Sequence, residues 1–230
     1  MLILIIVTFA IVSFAVSSRL KSKFKKYSRM SLASNLSGAQ VAEAMLKDNG
    51  IFDVNITCVS GQLTDHYNPA NKTVNLSQEV YQGRNAAAAA IAAHECGHAL
   101  QHAQAYAPLK LRSALVPLQS VSAKIINMIF VAMFFGAFFL QGIFSFETAI
   151  LIIIGCYSIF TLFAFVTLPV EFDASKRALQ WMEHRNITSA QEQYYAKDAL
   201  KWAAMTYVVA AIGSLVTLLY YVWLFLGSRD

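Results

Sequence analysis

Residues 85–105 read NAAAAAIAAHECGHALQHAQA, and this stretch decides how the rest of the chain is read. Its residues have high helix propensity and only Gly97 is a weak point, so it predicts one helix of about five to six turns. The helix is apolar only over Ala86–Ala93. A run that short cannot cross the roughly 30 Å of hydrocarbon in a bilayer. Alanine faces permit close packing of neighbouring helices, so the stretch is expected to be the buried central helix of a polar domain near the membrane surface.

The same helix carries His94-Glu95-Cys96-Gly97-His98, an HExxH pattern. Residues four apart share a helix face, so both imidazoles can reach one Zn²⁺ at ~2.0–2.1 Å. Glu95 lies about 100° around the helix, near enough to take a proton from a zinc-activated water without ligating the metal. Gly97 leaves room for another backbone or a substrate, and Cys96 is expected to point into the core.

A catalytic zinc has three protein ligands and an open position. Three residues are candidates for the third ligand. Glu171, in LPVEFDASKRAL, stands at the expected opening of a helix after a membrane span, where Pro169 fits the first turn. His102 lies one turn beyond His98, but three ligands from one helix would struggle to wrap a tetrahedral metal. His66, in LTDHYNP, sits in a loop from which it can approach the site and donate to an oxyanion.

Outward from this centre the chain is strongly apolar. Of its 230 residues 57% are hydrophobic and 13% charged, against roughly 25% charged in an average soluble domain. No charge occurs in Met1–Ser18, Ile125–Phe146, Thr148–Val170 or Ala203–Ser228, and about 20 apolar residues suffice to cross a bilayer as a helix. The expected fold is an α-helical integral membrane protein with about four transmembrane helices and a small α+β cytoplasmic domain. Residues 1–18 form the first transmembrane helix, 19–119 the polar domain, 120–145 and 147–168 the second and third transmembrane helices, 169–202 cytoplasmic helices carrying the third zinc ligand, and 203–226 the fourth transmembrane helix. Nothing basic precedes the first apolar run and a basic cluster follows it, which describes an uncleaved anchor.

The net charge of +5 is a matter of topology. Seventeen of the 18 Lys and Arg fall between the first and second spans or between the third and fourth, whereas only Arg229 lies beyond the fourth and the connector at 141–147 has none. The positive-inside rule therefore sets both basic segments in the cytoplasm and both termini outside. Nucleic-acid binding would need a basic face interleaved with aromatics, and it is excluded as the meaning of this charge. The three cysteines, Cys58, Cys96 and Cys156, imply no disulfide framework.

Within the polar domain, Ser37 and the closing Asn49-Gly50 bracket an amphipathic helix. DVNITCV and KTVNLS alternate in the manner of strands and read as a hairpin with a long loop, TDHYNPAN. A further helix starts at about Ser189 and runs into the fourth span.

LTDHYNP, AAHECGHALQHAQAYAPLKLRSALVP and LPVEFDASKRAL, in that order, resemble the YugP-type neutral zinc metallopeptidases over nearly the whole chain, and more distantly the HtpX-like membrane proteases. The resemblance implies a zinc-dependent peptidase of the bacterial plasma membrane, of gluzincin-like type, with His94 and His98 on the metal and Glu95 catalytic. In the HtpX-like pattern Glu-x-x-x-Asp, Glu171 matches the third ligand. Ser175 stands where that pattern has Asp, which leaves Asp173 as the carboxylate to orient a ligand histidine. The expected activity is endopeptidase cleavage of membrane or membrane-near proteins, with zinc on His94, His98 and Glu171, Glu95 as general base, His66 assisting, and Lys72–Ser77 as the sheet edge that a substrate strand pairs with. The expected partners are a peptide or protein substrate and the lipid bilayer. The rival readings are a metal-handling membrane protein, which would need ionisable groups inside the last three spans, and an inactive scaffold, which would lack Glu95.

Overall fold

Short capping signals set where the helices begin. Ser37 Oγ accepts the Gln40 N–H at 3.3 Å and Gln40 Oε1 accepts the Ser37 N–H at 2.9 Å, a reciprocal box that opens one helix. Gly50, at φ +70°, follows its end. Ser189 and Glu192 open another in the same way, with bonds of 2.7 and 3.4 Å. Asn85 Oδ1 accepts the Ala88 N–H at 2.9 Å and starts the alanine-rich helix.

The computed structural model describes residues 1–136 and 146–227. Residues 141–145 of the connector, the end of the 120–145 span and Arg229 lie outside the described residues. In chain order the elements are α1 (Leu2–Tyr27), α2 (Gly38–Asp48), β1 (Asn55–Val59), β2 (His66–Asn68), β3 (Thr73–Ser77), α3 (Gln78–Gln82), α4 (Ala86–Ala103), α5 (Ala107–Gly136), α6 (Phe146–His184) and α7 (Ala190–Gly227). Among the described residues the protein is mostly helical with one small sheet, and α1, α5, α6 and α7 are each long and apolar enough to cross a membrane.

Two compact units divide the chain. One comprises Phe14–Lys110 and Pro169–Thr206. At its centre is the first half of α4, whose alanines from Ala86 to Ala93 are fully buried. Those from Ala88 on share a core with Val41 and Met45 of α2, Val74 and Leu76 of β3, Met182 of α6 and Leu200 of α7, and Ala87 joins Tyr27 of α1 and Ala199 of α7. An alanine surface lets backbones approach, and these alanines of α4 accordingly have no solvent exposure. The other unit comprises Met1–Ser13, Leu111–Leu168 and Tyr207–Asp230. Phe9 lies so close to Gly213 that a Cβ there would stand 3.1 Å from the ring, and the Tyr157 and Tyr221 rings are 5.4 Å apart. Ile3, Leu4, Met128, Leu151, Leu219 and Trp223 are exposed on this unit. Exposed apolar surface costs ~25 cal/mol per Å² in water, a cost that hydrocarbon removes.

The sheet corrects the hairpin expectation. Its order is β1-β3-β2, with β1 parallel to β3 and β2 antiparallel to it. The Asn-Pro turn joins β2 to β3, where Asn68 Oδ1 accepts the Ala70 N–H at 2.9 Å and Lys72 takes φ 52°. Residues 60–72 thus form the long crossover that parallel β1 and β3 require. In consequence Lys72–Ser77 is not an edge: β3 is paired on both sides, and the edge strands are β1 and β2.

Two helices run through positions read as boundaries. Pro169 lies inside α6 and does not open a helix, and α5 begins at Ala107 and passes through Pro117 across the expected junction at 119/120. One internal proline forfeits a single backbone bond, whereas two new helix ends leave several donors and acceptors unpaired, which is worse in apolar surroundings.

Candidate metal centre

The burial of the first half of α4 fixes the rotation of its second half. His94 and His98 therefore emerge on one side, with ring centroids 4.8 Å apart and planes at 81°. Between them Gly97 meets α6: a Cβ there would lie 2.6 Å from the Ala174 carbonyl oxygen, so only glycine permits this approach. One helical turn before Ala174, Glu171 is 3% exposed and turned to both imidazoles. Its Oε2 lies 3.3 Å from His94 Nε2 and 3.6 Å from His98 Nε2.

These donors suit zinc. Two imidazole nitrogens and a carboxylate oxygen, all within 4.8 Å of one another, are a recurrent catalytic donor set. Bonds of ~2.0–2.2 Å to a tetrahedral ion require ligand atoms roughly 3.3–3.5 Å apart. The separations from Glu171 Oε2 fall at or beside that range. Burial disfavours the His98 imidazolium, but Glu171, Glu95 and Gln101 outweigh it and hold its pKa above the ordinary value. Proton and cation thus compete for one seat.

The far side of each ring is also occupied. His94 Nδ1 is 3.1 Å from Ser175 Oγ, and His98 Nδ1 is 3.0 Å from Gln101 Oε1. Asp173 does not orient His94. Its Oδ2 accepts from Gln101 Nε2 at 2.9 Å and from Arg177 Nε at 2.5 Å, so it supports His98 through the amide, and Ser175 itself meets His94.

Glu95 is 8% exposed, and its Oε2 accepts the backbone N–H of Tyr67 at 3.0 Å. His66, one residue earlier, alternates to the other side of β2: its Nδ1 is 2.8 Å from the Thr64 carbonyl and its Nε2 is 3.3 Å from Asn75 Nδ2. His102 Nδ1 is 2.8 Å from the Tyr67 hydroxyl. Cys96 is buried, its Sγ 3.6 Å from the Ala42 carbonyl oxygen, and burial pushes its thiol far up. The structure therefore brings His94, His98 and Glu171 together, ties Glu95, the residue after His94, to the Tyr67 N–H, and leaves His66 and His102 in other contacts.

Sequence reasoning missed Tyr67 and Gln101. Gln101 carried a signal, since it lies three residues after His98 and seven after His94 on the ligand side of the helix. The signal for Tyr67 was only strand alternation against His66.

Residues 2–226 match the family model described as "Putative neutral zinc metallopeptidase". The chain is 38% identical over 221 residues to the "Putative membrane protease YugP" of Bacillus subtilis (strain 168), covering 95% of this chain and 93% of that one. No solved structure matches.

Proposed function

Since the chain belongs to the neutral zinc metallopeptidase family, we propose that it is a membrane-embedded endopeptidase that hydrolyses peptide bonds of membrane or membrane-near proteins. The observation that carries this reading is the convergence of His94, His98 and Glu171 within 4.8 Å, with the buried Glu95 next to His94 in the chain. When bound by these three residues, zinc supplies Lewis-acid polarisation of the scissile carbonyl and makes water a stronger acid.

Glu95 accepts the proton of the attacking water and returns it to the leaving amine. The Tyr67 N–H holds Oε2, so the carboxylate keeps one orientation while its other oxygen handles the proton. Ser175 and Gln101 hold the two imidazoles by Nδ1 and turn Nε2 inward. The substrate lies extended along the outer side of β2. In support, Tyr67 directs its N–H away from β3 and towards Glu95, so this edge of the sheet borders the carboxylate.

The site unit faces the cytoplasm and the termini lie outside, a topology supported by the distribution of Lys and Arg. The test is zinc content and cleavage of a membrane-tethered, unfolded model substrate by the purified full chain, wild type against Glu95→Gln. Zinc-dependent cleavage lost in the variant supports the reading; zinc binding without cleavage in the wild type overturns it.

A further inference from the structure

Gln101 is a polar side chain with no solvent exposure, in the last turn of the helix that carries both histidines. Its Nε2 lies 2.7 Å from the Val170 carbonyl oxygen and 2.9 Å from Asp173 Oδ2, and its Oε1 lies 3.0 Å from His98 Nδ1. These partners are not interchangeable. A backbone carbonyl and a carboxylate only accept hydrogen bonds, so the two amide hydrogens must face them, which fixes the end of the side chain that is oxygen. The opposite flip would set the amide oxygen against two acceptors in a buried place and forfeit both bonds.

The amide oxygen directed at His98 then needs a donor, which a neutral imidazole supplies only if Nδ1 carries its proton. We infer that Gln101 is a positioning residue that locks His98 in the Nδ1–H tautomer and so keeps the Nε2 lone pair facing His94 and Glu171. This rests on the metal-centre reading above. His94 is treated differently, because its Nδ1 meets the Ser175 hydroxyl, a group that both donates and accepts and therefore imposes no tautomer. Gln101 also spans the turn that bears the third donor. Val170 precedes Glu171 and Asp173 follows it, so one amide sets the His98 tautomer and ties α4 to that turn.

The experiment uses the full-length protein with ¹⁵N-labelled histidine, stripped of zinc and held at alkaline pH so that the imidazole is neutral, because an ion on Nε2 would by itself put the proton on Nδ1. The expected spectrum has a proton directly bonded to His98 Nδ1 that exchanges slowly with water. Gln101→Met keeps the side chain's length but removes the amide acceptor. It should hasten that exchange and weaken zinc binding in chelator competition by about 10–100-fold, the usual scale for a partner of a metal-bound histidine, with helix content unchanged. A proton-free Nδ1 in the wild type overturns the inference, as does a Met variant with wild-type zinc affinity. Should the variant fail to fold, the wild-type spectrum decides alone. A chain that shows the Nδ1 proton and the loss of affinity yet cleaves no peptide would overturn the proposed activity and leave the tautomer lock standing.

Discussion

Gly97 and Ala174 are packed backbone to backbone: a Cβ on Gly97 would stand 2.6 Å from the Ala174 carbonyl oxygen and 3.0 Å from its Cα. The contact lies between the two histidines on α4 and one turn from Glu171 on α6, so it sets the distance across which the donors meet. Backbone cannot swing aside as a side chain tip can, and any added carbon must push the helices apart.

Gly97→Ala is therefore expected to weaken zinc binding and abolish hydrolysis together, with a stability loss of about 1–3 kcal/mol, the usual cost of overpacking. Chelator competition and denaturant unfolding measure the two effects. Unchanged zinc affinity would mean that this contact does not set the centre.

Glu171→Ala should cost far more zinc affinity than His102→Ala. The Glu171 carboxylate lies 3.3 and 3.6 Å from the two Nε2 atoms, whereas His102 is engaged with the Tyr67 hydroxyl. Zinc retention after dialysis ranks the two variants, and equal retention would remove Glu171 from the donor set.

For Glu95→Gln the expectation is retained zinc with hydrolysis lowered ~10²–10⁴-fold, the range for loss of a general base. The amide can still occupy the place beside Tyr67 but takes no proton from water. Loss of metal along with activity would make Glu95 a ligand instead.

Reporter fusions give the topology. One inserted near Asn85 and one at the C-terminus should report opposite sides of the membrane, because the basic residues lie almost wholly on one side of the expected spans. The same compartment for both would break the four-span arrangement.

Zinc removal should abolish cleavage, and readdition should restore it. A chain held by a strong chelator should keep its helix content, because none of His94, His98 and Glu171 belongs to the apolar core around α4. Collapse of the helical signal on chelation would show that the ion also maintains the fold.

What the sequence determined by itself was what depends on near neighbours along the chain. The helix at 85–105, the pairing of His94 with His98 on one face, the amphipathic helix after Ser37 and the four long apolar stretches all follow from spacing, propensity and the absence of charge. The family resemblance ran over most of the length and included zinc. Tertiary structure alone decided the rest. The strand order β1-β3-β2 put β3 at the centre of the sheet and left β1 and His66–Asn68 as its edges, because a short strand inside a loop found its partner through a turn that local pattern had assigned to the loop. It turned Tyr67, not His66, towards Glu95, since alternation says that two neighbours diverge but not which one faces the helix. It carried α6 unbroken through Pro169, where one missing bond costs less than two new helix ends. It also set Gln101 among His98, Val170 and Asp173, three partners on two helices that are 69 and 72 positions apart at the farther contacts. Hydrogen bonds of that kind leave no period in a sequence, because they depend on which backbones pack together, and here that depends on a glycine small enough to let them meet.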